Sequence, residues 1–101
     1  MASLDVESLD EVVHGRLRLG IMAHLAHAEA ADFNELKSAL NTTQGNLSIH
    51  LRKLEEAGYV AIDKSFLNRK PLTRARLTDA GRRAFADYLD AIAKLVETPR
   101  A

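Results

Sequence analysis

The chain has 101 residues, 47% hydrophobic and 28% charged, with 14 basic and 14 acidic side chains and no cysteine. That length holds one domain and one core, without room for a separate catalytic or ligand-binding domain. The composition excludes a disordered chain, disulfides and thiolate metal sites, and no apolar run approaches the roughly 20 residues of a membrane span.

The segment 1–8 reads as an N-terminal arm, 9–96 as one folded domain and 97–101 as a frayed tail. The arm carries Asp5 and Glu7, with Asp10 just beyond, and no cation, unlike a signal peptide. A cytoplasmic protein is expected. Leu9, Val13, Leu17, Ile21 and Leu25 recur every four residues, widened by Val12 and Met22. This predicts a long first helix from about Leu9 to Ala28, in two pieces or bent where Gly15 and Gly20 weaken it. Asp32, with Glu35 three residues on, is a capping-box-like start for a short helix carrying Phe33, Leu36 and Leu40.

Thr42 or Thr43 caps the next helix. Its inward ridge is Leu47, Leu51 and Leu54, and Gly58 supplies a left-handed stop. Tyr59 to Phe66 and Leu72 to Leu77 then read as two strands. The intervening Leu67-Asn68-Arg69-Lys70-Pro71 is expected to be an open loop, because Pro71 lacks a backbone donor. Thr78 caps a last helix reaching Val96. The fold class is mainly α with a small β-hairpin, with long N- and C-terminal helices.

Two helices joined by a turn of about three residues form a helix-turn-helix signal. Opposite the leucine ridge of the second helix lie Gly45, Ile49, Arg52 and Glu56, flanked by Asn46, Ser48 and Lys53, with Gln44 and His50 at the margins. Thr43, Gln44 and Ser48 suit phosphates or base edges, and the amides near Gln44 and Gly45 suit a phosphate. Asn46 suits an adenine edge, Arg52 guanine and Ile49 a thymine methyl. Charge points the same way. The segments Thr43–Leu54 and Lys64–Arg76 hold 7 of the 14 basic residues and none of the 14 acidic ones. The net charge of zero therefore conceals a preferred face for polyanions. In the hairpin the cations are Lys64, Arg69, Lys70, Arg74 and Arg76, and Asn68 adds a polar group at the tip, a pattern suited to clamping phosphates.

The run Leu47-Ser48-Ile49-His50-Leu51-Arg52-Lys53-Leu54-Glu55-Glu56-Ala57-Gly58-Tyr59-Val60 resembles the recognition helix and first wing strand of MarR- and ArsR-type winged-helix regulators. Arg69-Lys70-Pro71 and Leu77-Thr78-Asp79-Ala80-Gly81-Arg82 resemble their wing and the start of their last helix. The resemblance covers roughly Val12 to Val96. It implies a winged helix-turn-helix and a homodimeric transcriptional regulator of prokaryotic type, nucleoid-associated and bound to double-stranded DNA. It departs from thiol-sensing ArsR members, which need cysteines.

The last helix carries two adjacent apolar stripes, Phe85, Leu89, Ile92, Val96 and Ala84, Tyr88, Ala91, Leu95. Such a wide arc suits one stripe to the core and the other to a second copy. The second stripe is expected at a dimer interface, joined by Leu9, Val12 and Val13. No cofactor or metal is expected, since His24 and His27 lack an evident third ligand, although a His/Asp site across a dimer stays open. No catalytic motif appears and no enzyme is expected. A small-molecule effector between the first and last helices, and a winged helix that docks proteins without touching DNA, both stay open.

Overall fold

Three leucines set the middle of the molecule. Leu47, Leu51 and Leu54 bury one stripe of a helix whose other positions are mostly polar, Ile49 excepted, and the remaining elements pack around that stripe. The computed structural model describes residues 6–97. The elements in chain order are α1 (Arg16–Ala26), β1 (Ala31–Asp32), α2 (Phe33–Ala39), α3 (Gln44–Glu56), β2 (Val60–Leu67), β3 (Lys70–Leu77) and α4 (Asp79–Val96), preceded by a 3-10 turn at Val6–Ser8. The strands form an antiparallel sheet of order β1-β3-β2. This is the expected winged-helix α+β architecture. The expected arm up to Asp5 and the tail after Glu97 lie outside the described residues.

The helix ends follow their local chemistry. Asp32 accepts the Glu35 amide at 2.8 Å and starts α2. Of the two candidate threonines, Thr43 caps α3 by accepting from the Asn46 amide at 3.2 Å. At the other end of α3, Gly58 has φ +81. There the Gly58 amide donates to the Glu55 carbonyl (2.9 Å) and the Tyr59 amide to that of Leu54 (3.0 Å), a Schellman stop that glycine permits.

The first helix is shorter than its periodicity suggested, because α1 begins only at Arg16. Upstream, the Asp10 carboxylate accepts the amides of Val12 (2.8 Å) and Val13 (3.2 Å). This local turn competes with helix for the same donors, and Gly15 is extended at the helix entry. Val13 is fully buried all the same, so the four-residue spacing marked core positions without marking a helix. Strand β1 is only two residues long, too short to leave a pattern.

The hairpin also differs from expectation. The loop is two residues, Asn68 and Arg69, at φ 52 and 67, the type I′ geometry that matches strand twist. Lys70 and Pro71 belong to β3, opposite Leu67 and Phe66. Pro71 fits because the pair flanking such a turn is the hydrogen-bonded one. The missing N–H of Pro71 therefore points away from β2, beyond the reach of β1, which pairs only at Ala75 and Arg74.

Helix α4 does not divide its two stripes between core and surface as expected, since Phe85 and Ile92 of the first stripe also pack against the core. Ala84 and Tyr88 are buried, with Tyr88 sharing a 2.7 Å hydrogen bond with His14 Nδ1, and Ala91 and Leu95 are half-buried. Ala84, Tyr88 and Val13 thus belong to the chain's own core and have almost no surface to offer a partner. The face left outward carries Leu89 and Val96. Its orientation is fixed where α4 begins. Thr78 Oγ1 donates to the Gly58 carbonyl (2.6 Å) and accepts from the Gly81 amide (3.0 Å). A Cβ at Gly81 would sit 2.0 Å from the Tyr59 carbonyl oxygen, so only glycine lets the two backbones meet. Gly81→Ala is expected to cost about 2 kcal/mol or more by overpacking, read as a lower urea midpoint. Gly45→Ala, whose Cβ meets nothing within 4 Å, should instead raise the midpoint slightly through helix propensity.

Candidate nucleic-acid interface

The outward surface of α3 divides by what lies beside it. Gln44 and Ser48, one turn apart, border a groove of about 410 Å³ whose far wall is Lys64, Pro71, Leu72 and Thr73 of the hairpin and whose floor is Asp32, Phe33 and Asn34. Gly45, Ile49 and Arg52 are exposed along the crest, with Ile49 55% exposed. On the opposite flank Asn46 lines a second hollow with Arg16, Thr42 and Thr43, and Lys53 lines a third with Glu11, Arg18 and Glu56. Every residue expected on this helix from Thr43 to Lys53 to address a nucleic acid is therefore exposed on one continuous surface.

Strand alternation sorts the hairpin. Val60, Ile62, Ala75 and Leu77 face inward near its base. By the register, Lys64, Phe66, Pro71 and Thr73 continue that same face outward, toward α3. Asn68 and Arg69 form the tip and Lys70 follows. Arg74 and Arg76 lie on the other face, away from Lys64. The expectation of uncompensated cations fails there. Asp63, one residue outside the acid-free segment, lies opposite Arg74 in register and pairs with Arg76 at 3.5 Å. The hairpin thus places Lys64 on its front and Asn68 and Arg69 at its tip, with Lys70 flanking the tip on the same side as Arg74, the back.

Some contributors were not legible in the sequence. Arg16 is exposed beside Asn46, but a helix assumed to start at Leu9 hides it in mid-element. Asn34 and Thr73 join the groove only because β1 brings α2 against β3; no sequence signal singles them out. The capping carboxylate of Asp32 also lines this groove, so its charge is not uniformly positive.

The back of α3 is tied down by His50. Arg18 holds the carbonyls of Val12 (2.6 Å) and Glu11 (3.4 Å) and donates to His50 Nδ1 at 3.0 Å. Because a guanidinium only donates, this contact requires an unprotonated Nδ1. Burial, then the charges of Arg18 and Lys53, pushes the His50 pKa down from its ordinary 6.5. His24, set aside as a metal ligand, instead meets Glu35 at 2.8 Å. No group of three or more candidate ligands occurs among the described residues.

The family model of a winged helix DNA-binding domain matches residues 17–96. The chain belongs to this family. An uncharacterised protein of Methanocaldococcus jannaschii is 40% identical over 85 residues, covering 84% of this chain and 92% of its own length. The structure of a transcriptional regulator homologue from Pyrococcus horikoshii superposes with a TM-score of 0.82 at 31% identity, over 87% of each chain. A MarR family transcriptional regulator of Streptomyces coelicolor, solved in complex with DNA, shares the fold at a TM-score of 0.65 and 24% identity, over 89% of this chain and 63% of that one. The last two are transcriptional regulators, which are not enzymes. Within this winged-helix family, α3 is the second helix of the helix-turn-helix and the β2–β3 hairpin is the wing. No helix among the described residues is long and apolar enough to cross a membrane.

The wing turn holds an arginine where a type I′ turn favours glycine. A non-glycine residue in the left-handed region costs on the order of 1 kcal/mol, so the turn is less stable than its geometry allows. Arg69→Gly should therefore raise stability toward urea by about 0.5–1 kcal/mol while weakening duplex DNA binding. Reduced stability would show instead that the arginine side chain supports the turn.

Proposed function

We propose that this winged-helix chain binds double-stranded DNA as a homodimeric, sequence-specific transcriptional regulator, with α3 in the major groove and the wing on phosphates. The observation that carries the proposal is that one groove joins Gln44 and Ser48 of the exposed α3 surface to Lys64 and Pro71 of the wing, Pro71 adjoining the basic tip. Phosphate contacts by Lys64, Arg69 and Lys70, and by amides at the α3 N-terminus near Gln44 and Gly45, would fix the register of the protein on the duplex. Asn46, Ile49 and Arg52 would read base edges, each good bidentate contact contributing about 1–3 kcal/mol of discrimination. Thr43, Gln44, Ser48, Lys53 and Asn68 would serve as further hydrogen-bonding neighbours. Arg74, on the wing's back, would act through the field rather than by contact. The DNA complex of the Streptomyces coelicolor protein supports the DNA reading through shared fold alone.

A second copy would meet the outward face of α4. Leu89 is 49% exposed and Val96 74%, with Val6 of the neighbouring 3-10 turn at 60%. These replace Val13, Ala84 and Tyr88 in the proposed interface, while Leu9, Val12, Ala91 and Leu95 keep only partial exposure to contribute. Such a pair would present two α3 helices about 34–36 Å apart to a palindromic site. A small-molecule effector would fit the hollow of about 430 Å³ between the Glu7–Asp10 turn and α4. A nucleoid-associated protein in a cytoplasm accords with these roles.

Selection of duplexes from a random pool, followed by binding across a salt series, tests the DNA reading. Affinity should fall steeply with salt, and Lys70→Ala should shallow the log–log slope by about 1. A flat response, or no recovered duplex, would overturn it and favour a protein-docking winged helix. Light scattering at micromolar concentration should give the mass of two chains, and Leu89→Glu should give that of one with weaker duplex binding. A monomeric wild-type chain would remove the dimer.

A further inference from the structure

The wing ends in apolar side chains after it has left the core. Phe66 is 76% exposed, the highest value among the large hydrophobic residues described, and Leu67 is 57% exposed. Strand ends that project into solvent are ordinarily blunted with charge, so a phenyl group here works against solubility. Phe66 lies opposite Pro71, and in this hairpin that is the non-hydrogen-bonded pair, whose side chains stand closest. The two rings therefore form one ridge on the face that looks toward α3.

The surroundings of the ridge decide its occupant. Lys64 lies two residues back on the same face, and Asn68, Arg69 and Lys70 lie at the turn. Asp63 is further back on the other face and already pairs with Arg76. An apolar ridge collared by cations matches a polyanion with an apolar stacked interior. The ridge is also held in register, because β2 and β3 pair without interruption from Val60–Leu77 to Leu67–Lys70 at the turn. From Ile62, opposite buried Ala75, to Leu67 the ribbon extends by roughly 17 Å beyond the core.

We propose that the Phe66–Pro71 ridge is a wedge that enters the minor groove beside the major groove occupied by α3. There it parts a base step and kinks the duplex. Apolar wedges of this kind bend DNA by roughly 20–90°. The proposal rests on the duplex-binding reading above and adds to it a deformation of the DNA.

The test uses the full chain and a duplex of about 30 base pairs, a length over which a bend is measurable, recovered from the random pool. It carries dyes at its ends, and in a second series 2-aminopurine is moved step by step along it. Wild-type protein should bring the ends closer and raise 2-aminopurine fluorescence at one step in each half-site. Phe66→Ser should leave the duplex straight and bind about tenfold more weakly, as for loss of one base–aromatic contact, with an unchanged salt slope. Phe66→Leu should retain the bend. Both variants change an exposed side chain, and an unchanged urea midpoint checks that they fold. A straight duplex under wild-type protein, or an equal bend under Phe66→Ser, would overturn the wedge and leave duplex binding intact. A change in oligomeric mass with Phe66→Ser would overturn it in favour of a protein contact. Failure of the wild-type chain to bind any duplex would defeat the duplex-binding reading and the wedge with it.

Discussion

Tyr59 is the residue through which the elements of this chain are referred to one another. Its amide donates to the last turn of α3 and its carbonyl accepts from Thr78 at 3.0 Å, while Gly81 packs directly against that carbonyl. Its phenol donates to Asp10 Oδ2, whose other oxygen organises the turn that buries Val13. The hydrogen bond to Asp10 and, second, desolvation push the Tyr59 pKa up to about 12. A raised pKa means that this contribution to stability is fully present below pH 10 and is lost as pH rises through about 12. The end of α3, the base of the wing, the start of α4 and the N-terminal turn thus share one junction.

The opposite sign applies at His50. Its lowered pKa makes the Arg18 contact available above about pH 6.5, the ordinary histidine value, and weaker as pH falls through the folded-state value. That contact joins the back of α3 to the backbone of residues 11 and 12. Helix α3 is therefore anchored at its inner side by a neutral imidazole and left open and mostly polar on its outer side. The zero net charge of the chain is compatible with polyanion binding because the cations at the wing tip stand clear of acids, while Asp63 pairs with Arg76 on the wing's back.

What was legible in the sequence was whatever is decided locally. The leucine ladder of α3, the caps at Asp32, Thr43 and Thr78 and the stop at Gly58 each depend on atoms within a few residues, and each appears where composition and spacing place it. The exposed α3 residues were legible for the same reason. The start of α1 was not, since Leu9 and Val13 keep helical spacing while Asp10 diverts the amides that a helix would use. The hairpin turn was obscured because an arginine occupies a position where glycine would have announced it. The two stripes of α4 were visible, but which faces inward is set by the Tyr59–Gly81 contact and by a His14–Tyr88 bond spanning 74 residues. The face occupied by Arg74 was not legible, because it follows from the strand register that sets Asp63 across from it and not from the spacing of charges along the chain.

The exposed apolar side chains fall into two groups, Val6, Leu89 and Val96 on the N-terminal turn and α4, and Ile49, Phe66 and Leu67 on α3 and the wing. This division constrains how the proposed activities combine. A pair of chains joined through α4 would leave α3 and the wing uncovered, because α4 packs on α1, β3 and the N-terminal turn. The separation of the two α3 helices would then depend on the angle at which α4 leaves α3 within each chain. That angle is set at Thr78 and Gly81, where backbone meets backbone and no flexible side chain intervenes to absorb a change. A substitution that displaced α4 slightly at this point, without unfolding the chain, would shift both reading heads relative to a palindrome. The contact that most constrains the fold would in this way also govern half-site spacing.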